Sequence, residues 1–209
     1  MFWHMDREFE VRDHSREIRK INFNYTTDFA NLGISQKKAV DVHWPLLLYF
    51  KRLHEEGRYK IDFTMQKPPF AEINDIHSIL LSYSEVHEFY YDWGRYFYNA
   101  DNWINELAIN SDFSIGSRFH GNVAAILAGI PTLPINVDKR MKGMNDFFKI
   151  HSIDIEQFDP RKPIEYYREL ADYSEFNKRF SEVYDNFVDY CKKNGVRLKN
   201  IDRGTNKWI

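Results

Sequence analysis

The chain has 209 residues, 43% of them hydrophobic and 29% charged, the balance of an ordinary soluble globular protein. Its 29 Lys and Arg against 31 Asp and Glu leave a net charge of −2, so no bulk basic field gathers phosphate backbones and nucleic acid is excluded as the main partner. The longest mostly apolar stretch, Val123 to Ile135, is broken by Gly129, Pro131 and Pro134 and is too short to span a membrane, while the single Cys191 permits no internal disulfide and points to a reducing cytoplasm.

The first segment, residues 1–22, reads as a charged lead-in. Ten charges fall between Asp6 and Lys20 with little apolar periodicity, which predicts a solvated stretch ahead of a single domain over 23–209. From Ser35 to Glu56, Ala39, Val42, Leu46, Leu47, Tyr49, Phe50 and Leu53 keep helical spacing, with a kink or a new start at Pro45 and a stop at Gly57. Tyr59 to Met65 reads as a strand ended by Lys67-Pro68-Pro69, and Ala71 to Leu81 as a helix. Val86 to Phe97 is aromatic and stays unassigned between strand and helix. Ala100 to Ile109 reads as a helix leading into a short strand, Asp112 to Gly116.

A polar turn, Ser117 to Gly121, follows, then an Ala-rich helix from Asn122 to Ala128 closed by Gly129-Ile130-Pro131. Thr132 to Val137 is the next strand, with Pro134 marking an edge or a bulge because proline cannot donate to a ladder. The rest is helical: Ile164 to Tyr173, then a longer helix from Ser174 to Gly195. Its stripe of Phe176, Phe180, Val183, Tyr184, Phe187, Tyr190 and Cys191 predicts a buried face. Alternation of strand and helix argues an α/β fold with a parallel sheet.

In such sheets ligands gather at the carboxyl ends of strands, where helix N-termini turn spare amides outward. One such end holds Ser117, Arg118, His120 and Gly121; another holds Asp138, Lys139 and Arg140. Arg118 offers a planar fork for a carboxylate or phosphate, His120 exchanges a proton near neutral pH, and Gly121 admits close approach of a ligand or backbone. The plainer alternative is a helix start with a surface arginine and a half-buried histidine, with Asp138 as a cap and Lys139 and Arg140 as a solvated pair. The remaining histidines show no metal-binding spacing and one cysteine builds no thiolate cluster, so no metal is expected. Tyr90, Tyr91, Trp93 and Tyr96 offer rings for stacking a sugar or for packing. GxGxxG, P-loop and GxSxG patterns are absent, which disfavours dinucleotide binding, P-loop phosphoryl transfer and esterase chemistry.

The run Asp112 to Pro131, DFSIGSRFHGNVAAILAGIP, continued by Asp138-Lys139-Arg140, resembles the signature of the polysaccharide pyruvyl transferase family. That signature is a D-x-x-I-G-[ST]-R-x-H-G stretch, an Ala-rich helix, a Gly-x-Pro stop and a downstream D-x-R. The later stretch Ala171 to Asn177 and the helix ending Asn194-Gly195 resemble the tail of bacterial members. The resemblance is specific over Asp112 to Gly195 and thinner from Phe23 to Asn110.

The resemblance implies a Rossmann-like parallel sheet like the C-terminal lobe of a GT-B fold, followed by C-terminal helices, with the N-terminal lobe of the family missing. It implies transfer of a pyruvyl group from phosphoenolpyruvate, the donor substrate, to a sugar of a cell-surface polysaccharide or its lipid-linked precursor, with no cofactor. Arg118 and His120 are then the catalytic pair, Arg118 on the donor's carboxylate or phosphate and His120 as general acid or base. Ser117, Gly121, Asp138 and Arg140 are expected at the substrates. The setting implied is the cytoplasm or the inner face of the membrane, with a second copy or a partner lobe in association. The alternatives are a GT-B glycosyltransferase using a nucleotide sugar, and a truncated non-catalytic lobe that works only with a partner.

Overall fold

The computed structural model describes residues 7–12, 17–25, 36–65, 94–97 and 99–196. Six strands, β1 (Lys20–Asn24), β2 (Lys60–Met65), β3 (Gly94–Tyr96), β4 (Phe113–Gly116), β5 (Thr132–Asn136) and the two-residue β6 (Ile153–Asp154), form one parallel sheet in the order β3-β2-β1-β4-β5-β6. Helices α1 (Gln36–Glu55), α2 (Ala100–Asn110), α3 (Phe119–Leu127), α4 (Lys139–Phe148), α5 (Ile164–Leu170) and α6 (Ser174–Lys193) flank it. The chain runs outward from β1 to β3 and then returns past β1 to β4, so the strand order reverses between β1 and β4 in the Rossmann-like manner.

The sheet has two unlike faces, set by the period-two alternation of its strands. On one face Ile21, Phe23, Ile61, Phe63, Phe113, Ile115 and Leu133 are buried in an apolar core with Leu46, Leu47, Tyr49 and Phe50 of α1. Phe23 and Phe50 stack there with ring centroids 4.0 Å apart, and Tyr49 meets Tyr167 of α5 edge to face. On the other face Asn22, Asn24, Thr64 and Ser114 are buried and joined by hydrogen bonds. The Thr64 hydroxyl donates to Asn22 Oδ1 at 2.7 Å, and Asn22 Nδ2 donates to Ser114 Oγ at 2.8 Å. The row continues under α4, where Asn145 Nδ2 donates to Asn136 Oδ1 of β5. Ala124 and Ala125 of α3, with Ala128 at its C-cap, pack against Trp103 and Leu107 of α2.

Three helices, α1, α3 and α6, end near glycines, while α4 ends on the left-handed Lys149. Gly57, Gly129 and Gly195 all have positive φ, and at α3 the Gly129 amide donates to Ile126 while Ile130 donates to Ala125, the paired bonds of a left-handed helix stop. Pro45 lies inside α1, which continues through it. Pro134 lies on β5, not on an outer strand; β6 pairs only from Ile135 onward, which leaves the missing proline amide without a ladder position to fill.

Two expectations need correction. The charged lead-in is not wholly solvated: Lys20–Asn24 is the central strand β1, Val11 and Ile18 are buried, and Phe9 packs edge to face on Phe176 and Phe180 of α6. Asn177 holds the segment through both backbone groups of Val11, and the Asp112 carboxylate accepts the amides of Arg19 and Lys20. High charge density masked isolated apolar anchors there. On α6, Tyr190 is 64% exposed and Val188 takes the buried position instead. The helix expected over Ala71 to Leu81 and the rings of Tyr90, Tyr91 and Trp93 lie outside the described residues.

Candidate functional site at the sheet switch point

The loop after β4 emerges where the carboxyl ends of β1 and β4 lie side by side, the position at which open α/β sheets form a ligand crevice. Its path is set by Asn24, the last residue of β1. The Ser117 amide donates to the Asn24 carbonyl at 3.0 Å, and the Arg118 amide donates to Asn24 Oδ1 at 3.1 Å. Asn24 Nδ2 donates to Asn122 Oδ1 at 2.8 Å, and Asn122 Nδ2 closes the ring by donating to the Gly116 carbonyl at 3.0 Å. Two glycines make room for this. A Cβ on Gly116 would meet the Asn24 carbonyl oxygen at 1.8 Å, and one on Gly121 would meet Asn24 Cβ at 2.7 Å.

Helix α3 begins at Phe119, three residues before the start expected from sequence, with Arg118 in extended conformation at its N-cap. Phe119, His120 and Gly121 therefore form its first turn, and their amides have no carbonyl a turn earlier in the helix to bond. His120 is exposed at the rim, its ring edge to face with Phe119 at 5.7 Å, and Phe119 in turn packs on the core. Arg118 is half-buried. Partial burial, then the positive charges of Arg118 and Arg140, hold the His120 imidazole below the usual histidine range.

Arg140 reaches the same edge from the first turn of α4, which follows the neighbouring strand β5. Its side chain is 77% exposed and lies 3.8 Å from Asp138. Asp138 caps α4, accepting the Met141 amide at 2.6 Å. The structure thus brings Arg118, His120, Asp138 and Arg140 to one edge. Ser117 and Gly121 are buried on the inner side of the turn against β1. Sequence reasoning gave no role to Asn24 or Asn122; the signal for Asn24 was the alternation Ile21-Asn22-Phe23-Asn24, two amides at strand spacing. Among the described residues no group of three or more His, Cys, Asp or Glu gathers as a metal site, and no helix is long and apolar enough to cross a membrane.

Two arginines near a histidine, at the switch point of a Rossmann-like sheet beside a helix N-terminus, form an arrangement able to hold an anion and to exchange a proton. The family model for polysaccharide pyruvyl transferase matches residues 14–139, more than half of the chain. The chain belongs to the polysaccharide pyruvyl transferase family, a family of transferases. The match starts within the charged lead-in, spans the whole turn after β4 and stops one residue before Arg140. No curated protein matches the chain.

Proposed function

We propose that this chain transfers the pyruvyl group of phosphoenolpyruvate to a sugar of a cell-surface polysaccharide or its lipid-linked precursor, forming a pyruvate ketal. The observation that carries the reading is the convergence of Arg118, His120 and Arg140 on one sheet edge in a chain of this family. The Arg118 fork pairs with the donor's carboxylate or phosphate, and the leading amides of α3 add the positive end of the helix. Arg140 neutralises further charge on donor or acceptor.

The reaction breaks the C2–O bond to phosphate and forms two C2–O bonds to sugar oxygens. One sugar hydroxyl adds to C2 as a proton reaches the methylene carbon; phosphate then leaves with its bonding electrons, and the second hydroxyl closes the ketal as it gives up its proton. His120 serves both proton steps. Held below its usual range in the free site, it is neutral near pH 7 and accepts a hydroxyl proton, and the imidazolium so formed gives a proton to the methylene carbon. The same reading sets the work in the cytoplasm, at the inner face of the membrane where lipid-linked sugars are presented.

Calorimetric titration with phosphoenolpyruvate tests this, run beside Arg118→Ala and with a nucleotide sugar as comparison ligand. Binding by the wild type and its loss in a folded Arg118→Ala protein is expected. Equal binding by Arg118→Ala sinks the assignment, and binding of the nucleotide sugar without phosphoenolpyruvate replaces it with a glycosyltransferase.

A further inference from the structure

Asn24 turns its carbonyl, its side-chain oxygen and its side-chain amide to the strand-to-helix connection that carries Arg118 and His120, and the amide also reaches Ser114 Oγ of β4 at 3.4 Å. The amide has one satisfactory orientation. Oδ1 must face the Arg118 N–H, Nδ2 must face Asn122 Oδ1, and Asn122 must turn its own Nδ2 to the Gly116 carbonyl; flipping either amide sets donor against donor or acceptor against acceptor. The contact is also sterically exclusive, because both glycines of the turn lie against Asn24 too closely for any side chain. In the same polar row Thr64, the register partner of Asn24, donates instead to Asn22, and Asn22 donates to Ser114, so these two bonds run from strand to strand.

We propose that Asn24 is a positioning residue for the donor site, fixing the direction in which Arg118 and His120 leave the sheet edge so that the guanidinium and the imidazole meet one anionic substrate. This rests on the donor reading above. A side chain whose peptide N–H is held by a part-buried hydrogen bond loses aim when that bond goes, and misplacement of about 1 Å costs binding and rate far beyond the lost bond.

The test compares the full chain, Asn24→Ala and Thr64→Val by thermal melting, phosphoenolpyruvate titration and NMR titration of His120. Thr64→Val breaks a buried hydrogen bond of the same row that is made to Asn22 and not to the turn. Asn24→Ala is expected to weaken phosphoenolpyruvate binding about tenfold or more, and to move the His120 midpoint upward as the ring loses burial and the nearness of Arg118. Thr64→Val, with a comparable loss of melting temperature, is expected to keep both near wild type. Equal losses of binding in the two variants mark Asn24 as purely structural and overturn the proposal, as does a folded Asn24→Ala with unchanged binding and an unchanged midpoint. Should the wild type itself fail to bind phosphoenolpyruvate, the donor reading falls on its own, and the His120 midpoint decides on Asn24: unmoved in the variant, it overturns the positioning role. If Asn24→Ala does not fold, Asn24→Ser, whose hydroxyl is too short to reach the Arg118 amide, is read in the same way.

Discussion

Gly121 sits so close to Asn24 that a Cβ on the glycine would fall 2.7 Å from the asparagine Cβ, the unyielding base of a side chain pinned at its far end. Gly121→Ala must therefore push α3 off β1. An overpacking cost of about 1–3 kcal/mol is expected by denaturant unfolding, together with weaker phosphoenolpyruvate binding. Gly116→Ala meets a backbone oxygen instead and is expected to lose more stability than Gly121→Ala.

His120 feels two arginines, and Arg118 bears on it more than Arg140 does. Removing either charge is expected to raise the imidazole midpoint in an NMR titration, Arg118→Ala by more than Arg140→Ala. A midpoint that falls in either variant contradicts the arrangement.

Binding of an anion beside His120 favours its protonated form, so the imidazole pKa rises in the complex. By linkage, phosphoenolpyruvate binding takes up a proton and its His120-dependent affinity increases as pH falls through the midpoint of the complex. Titrations in buffers of different ionisation heat measure that uptake directly, and His120→Gln is expected to abolish it. The sign for folding is the opposite: with its folded pKa depressed, His120 contributes stability above the unfolded value that is lost as pH falls through the lowered one.

Tyr173 is buried, and its hydroxyl donates to the Thr132 carbonyl at 2.7 Å, tying the start of α6 to β5. Tyr173→Phe strands that carbonyl in the interior. A loss of about 1–3 kcal/mol is expected in urea unfolding, with phosphoenolpyruvate affinity unchanged, because the bond lies away from the turn that carries Arg118.

Much of this molecule was legible from its residues. The strands β2, β4 and β5 and the helices α1, α2 and α6 fall close to the expected spans, because glycine and proline punctuate them and their apolar spacing is regular. The turn of the candidate site was legible in its place after a strand, since Arg118 and His120 follow β4 and Arg140 follows β5. Two features were hidden for one physical reason, which is that the partner lies far along the chain. The start of α3 at Phe119 has no Ser, Thr, Asp or Asn at its N-cap; the stabilising acceptor for Arg118 comes from Asn24, 94 residues earlier. The central strand β1 follows directly on a densely charged stretch, and its burial is conferred by β2 and β4. The short β3 lies in an aromatic stretch whose spacing suited neither period.

The two-faced sheet also protects its own assembly. Parallel strands covered on both sides usually read as unbroken apolar runs, in which no alternation marks one face from the other. In β1, Ile21 and Phe23 alternate with Asn22 and Asn24, and all four are 0% exposed. A shift of one residue against β2 or β4 would carry two amides into the aromatic layer and a phenyl ring onto the polar row, at roughly 2–7 kcal/mol for each amide left unbonded. Misaligned pairings of this strand are thereby rejected while the chain folds, and the aligned pairing is the one that delivers Asn24 to the turn.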